Sequence, residues 1–90
     1  MESFYQNVPP EAAAEIEQIT RLMYEIRCAR DEVLSRLGAT DTARALERIV
    51  TGELPEHPGY EDYLSARILA DLHGQVRADL AARIEEVRGK

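Results

Sequence analysis

AAAEIEQITRLMYEIRCARDEVLSRL, residues 12–37, decides how this chain folds. Within it Ala12, Ile16, Ile19, Met23, Ile26, Arg30, Val33 and Leu37 follow one another at alternating steps of four and three. That is the a/d pattern of a helix whose seam packs against another helix. With Ile16 at position a, Leu22 and Ala29 widen the stripe at g and Leu34 widens it at e. One member of the seam is charged. The Arg30 guanidinium cannot shed its proton, so it must reach water, a carboxylate or a partner.

Around this stretch the punctuation is helical. Pro9-Pro10 opens the helix, because proline suits the first turn, where its missing N–H costs nothing. Glu11, Glu15 and Glu17 favour the positive end of the helix dipole, and Gly38 is a natural C′ residue. The spacing predicts a first helix over about residues 10–37, roughly 42 Å long at 1.5 Å per residue. A short second helix is expected over about 41–51, capped by Thr40 or Asp41, with Ala43, Leu46, Ile49 and Val50 as its apolar face. Pro55, Pro58 and Gly59 shape a loop, and a third helix runs over about 59–88. Its large apolar residues, Tyr60, Leu64, Ile68, Leu72, Val76, Leu80 and Ile84, recur at strict steps of four. Such a stripe drifts about 40° per step around the helix, so the third helix is expected to touch different neighbours at its two ends. Gly74 marks a kink or a close helix approach.

The expected fold is all-α: an antiparallel long-helix hairpin with a short intervening helix. Residues 1–9 form an N-terminal arm and 10–90 a single helical domain. A hairpin two helices thick cannot cover both stripes, so a four-helix-bundle-type homodimer is the economical solution. Centred near residues 24 and 74, the hairpin would set Arg30 against 66–72. Asp71 is then its expected ion-pair partner, the Tyr63 hydroxyl a second, and the pair would fix the register.

Composition narrows the function. The net charge is −6, and it is uneven: residues 1–17 and 53–66 each carry −4, while 18–52 and 67–90 each carry +1. With no basic stripe and no interleaved aromatics, nucleic acid is not an expected partner. No stretch approaches the roughly 20 apolar residues that span a bilayer, so a soluble cytoplasmic protein is expected. The single Cys28 excludes an intramolecular disulfide, and it falls at position f, away from the seam. His73 lies beside the apolar stripe of the third helix. No nucleophile–base pair, glycine-rich phosphate loop or metal-ligand spacing is present, so neither catalysis nor a cofactor is expected.

The segment Glu53 to Tyr63 carries the most surface chemistry. Glu53, Glu56, His57, Tyr60, Glu61 and Asp62 form an acidic, aromatic-bearing surface suited to a basic protein partner. The leading expectation is a non-catalytic accessory or regulatory protein, or an acidic inhibitor, acting through protein–protein contacts. The rival class is a small all-helical enzyme. The long–short–long plan resembles that of dimeric helical chorismate mutases, which implies an anionic metabolite held by arginine and lysine on the first helix. Here residues 11–20 hold no base and the only lysine is Lys90, so the likeness is one of architecture.

Overall fold

The computed structural model describes residues 8–89, so the chain up to Asn7, with Phe4 and Tyr5, lies outside the described residues. Three helices follow in order: α1 (Pro10–Arg36), α2 (Thr42–Val50) and α3 (Glu56–Arg88). Within α3, His57 has extended dihedrals (φ −114°, ψ 125°), as expected of a residue before proline. The regular helix therefore begins at Pro58 and runs without a break through Gly74.

Helix α1 ends where Gly38 turns the chain. Gly38 has φ +62°, and a Cβ there would collide with the Arg48 guanidinium. The Gly38 N–H donates to the Ser35 carbonyl and the Ala39 N–H to the Leu34 carbonyl, both at 3.1 Å, which is the Schellman pattern. Asp41 then caps α2, its carboxylate accepting from the Arg44 N–H at 2.8 Å. From α2, Arg48 reaches back to the end of α1. Its Nη1 donates to the carbonyls of Leu37 (2.7 Å) and Gly38 (3.0 Å), while its Nε pairs with Glu53 (3.0 Å). One side chain thus holds the end of α1, α2 and the following loop together.

The two long helices run antiparallel. Glu15 pairs with Arg83 at 2.6 Å and Arg36 with Asp62 at 3.3 Å, and both pairs of residue numbers total 98. This is the register expected from a hairpin centred near residues 24 and 74. Every rung of the α1 ladder is buried or half-buried, Arg30 included. Between α1, α2 and the start of α3 lies the densest packing: Val33, Leu34, Leu37, Ala45, Ile49, Tyr63 and Ala66. Ala45 and Ala66 are fully covered, so small side chains set how closely the three helices approach.

The first four of the large residues at steps of four in α3, Tyr60, Leu64, Ile68 and Leu72, do not line its buried face. Gly59, Tyr63, Ala66, Ala70, His73, Val76, Leu80, Ile84 and Val87 do. The drift of the strict-four stripe carries it around the helix, so it joins the seam only from Val76 onward. Before that point Tyr60, Leu64, Ile68 and Leu72 face outward, at 46%, 37%, 66% and 40% exposure.

Two substitutions test this account by chemical denaturation. Arg48→Met strands the Leu37 and Gly38 carbonyls and should cost about 2 kcal/mol, in the range for hydrogen bonds to a charged group. Gly74 has helical backbone, and a Cβ there would meet nothing within 4 Å. Gly74→Ala should therefore stabilise the fold by up to about 1 kcal/mol.

Candidate functional site

The acidic segment at the start of α3 is largely occupied with its own structure. Glu53 is bound by Arg48 and Asp62 by Arg36 across to α1. The Glu61 carboxylate meets His57 Nδ1 at 2.6 Å one turn earlier, both side chains exposed. Three of the four carboxylates of this segment are thus engaged, leaving Glu56 without a pair among the described residues. Glu56, His57 and Tyr60 line an open cleft of about 280 Å³. Tyr60 stacks on buried Tyr63 with ring centroids 5.9 Å apart and planes 29° apart. The six residues expected to bind a partner are therefore split. Glu56, His57 and Tyr60 share one surface, with Glu61 paired to His57 beside it, whereas Glu53 and Asp62 serve the fold.

Arg30 does not pair with Asp71. Its Nε and Nη2 donate to Asp31, the next residue along, at 3.1 and 3.0 Å. The reason is rotational. The shared register sets Arg30 opposite Ile68, with Ala70 at the seam beside it. Asp71 follows Ala70 and is turned a further ~100° around α3, away from α1. Tyr63 stands opposite Ser35 by the same register, too far along to serve. The stem of Arg30 packs in the seam while its head turns out to a neighbour, so no buried ion pair forms here.

On α1, Cys28 is exposed and interacts with Tyr24 one turn before it. The pKa of the Tyr24 phenol is raised above its ordinary value. Hydrogen bonding to Cys28 favours the protonated form, and the thiolate's charge adds to this. Arg27, stacked 5.6 Å from the centroid of the Tyr24 ring, pulls in the opposite direction. Among the described residues no three His, Cys, Asp or Glu side chains converge as metal ligands. No described helix is long and apolar enough to cross a membrane.

Sequence reasoning missed Arg48 and the outer face of α3. Arg48 shows no signal beyond a base in the last turn of a helix. The outer face had a signal in the 40° drift, which separates the early members of the stripe from the later ones.

The Tyr24–Cys28 pair yields a direct check. In Cys28→Ala the Tyr24 phenol loses its sulfur neighbour, and its pKa should fall towards the ordinary value. The ring-carbon NMR shift of Tyr24 followed against pH reads this; an unmoved titration would refute the coupling.

Compared with protein families, with curated proteins and with solved structures, the chain finds no match.

Proposed function

We propose that this protein acts without catalysis, through helix-face contacts, and that its first partner is a second copy of itself. The observation that carries this reading is the row Leu64, Ile68 and Leu72, exposed on successive turns of α3. Among the described residues these side chains have no counterpart to cover them. The chain is also long and thin, 54 × 21 × 18 Å, with a radius of gyration of 17.5 Å. A compact domain of ninety residues would have roughly 12 Å.

Self-association is favoured over a foreign helix by the charges flanking the row. When two α3 helices cross antiparallel with Ile68 on the twofold axis, Leu64 of each meets Leu72 of the other. In that register Glu61 faces Gln75 and Asp71 faces Ser65, so no carboxylate opposes another. Sliding by one turn in one direction sets Glu61 against Asp71, and in the other sets Glu61 against Asp79. Only the centred register joins the apolar row without like-charge contacts. The resulting dimer has four long helices, with Glu56, His57 and Tyr60 of each copy available to a further protein partner.

Sedimentation equilibrium tests this. Wild type should be a dimer at micromolar concentration, and Ile68→Arg should be a monomer with unchanged helical circular dichroism. A wild type that stays monomeric at the highest attainable concentration would overturn the reading.

A further inference from the structure

Halfway along the hairpin, on the flank away from the Glu15–Arg83 and Arg36–Asp62 pairs, lies an open cleft of about 170 Å³. Thr20, Met23, Tyr24, Arg27 and His73 line it. Next to His73, Gly74 presents no side chain, and a Cβ built there would meet nothing within 4 Å.

The polar atoms around this space are not balanced. Arg27 makes no ion pair among the described residues; its guanidinium lies over the Tyr24 ring. No carboxylate lines the cleft. The Thr20 hydroxyl spends its proton on the Ile16 carbonyl at 2.8 Å, and the Tyr24 hydroxyl interacts with Cys28. What remains to donate is the Arg27 fork and a ring N–H of half-buried His73. Met23, half-buried at the seam, supplies an apolar wall. One planar cationic fork, one further donor and an apolar wall match a single carboxylate attached to a small apolar body. A phosphate ester, with more charge and more acceptors, would leave oxygens unpaired here. The volume is below the roughly 300–1,000 Å³ of sites for drug-sized ligands, which limits the ligand to a small one.

We infer that this cleft binds a small organic monocarboxylate, its carboxylate on Arg27 and His73 and its apolar body against Met23. The site is independent of the dimer, since the row Leu64, Ile68 and Leu72 lies on the far side of α3 from the seam.

Benzoate titrated into the isotope-labelled full chain tests the inference, with benzamide as the neutral counterpart of the same shape. Benzoate should shift the His73 ring and Met23 methyl signals saturably, and benzamide should bind at least tenfold more weakly. Arg27→Gln, at an exposed position, should weaken benzoate at least tenfold. Absence of a saturable shift in the wild type would overturn the proposal, as would equal binding of benzamide or undiminished binding by Arg27→Gln.

Discussion

The geometry of this molecule depends on where α1 is made to stop, and the Arg48 guanidinium secures that stop. The last carbonyls of a helix have no partners within it, and they carry the negative end of its dipole. Arg48 satisfies two of the exposed backbone oxygens and brings a full positive charge to that end. It is itself held by Glu53, so the loop leading to α3 is fastened by the same group. The turn at Gly38, the placement of α2 and the start of α3 are therefore coupled. A slip of one turn between α1 and α3 would separate Glu15 from Arg83 and Arg36 from Asp62 together.

The first helix was legible because its seam is built from large aliphatics that have no other pattern to suggest. Its register against α3 was legible too, since two long helices joined through a short one leave little freedom in their offset. The third helix was harder. In its first half the buried face includes Gly59, Ala66, Ala70 and His73, residues that contribute little to a hydrophobic pattern. Its large aliphatics follow a strict four-residue step that a straight helix cannot keep on one face. The conflict between the two patterns reveals an apolar row with no partner among the described residues. Arg30 is a related case: the spacing placed it in the seam, but the identity of its carboxylate depended on a rotation of ~100° between Ala70 and Asp71.

The acidic stretch before α3 illustrates how charge in a sequence differs from charge offered to a partner. Counted along the chain, residues 53–66 are strongly negative. In three dimensions Arg36, Arg48 and His57 each take one of those carboxylates. Surface pairs of this kind contribute little individually, yet they fasten the loop and reduce the field it projects. On the outer face of α3, by contrast, burial of aliphatic side chains would be worth about 25 cal/mol per Å² removed from water.

Stability gives Gly74 its meaning. A chain of ninety residues has a margin of roughly 5–13 kcal/mol, and here no large side chain among the described residues is fully buried. A mid-helix glycine subtracts up to about 1 kcal/mol from that margin. Glycine is required where φ is positive, as at Gly38, or where another chain segment presses close. Neither condition holds at Gly74, whose backbone is helical and whose missing Cβ faces open space. The fold has no use for the glycine, and an alanine there would add helix propensity without meeting a neighbour.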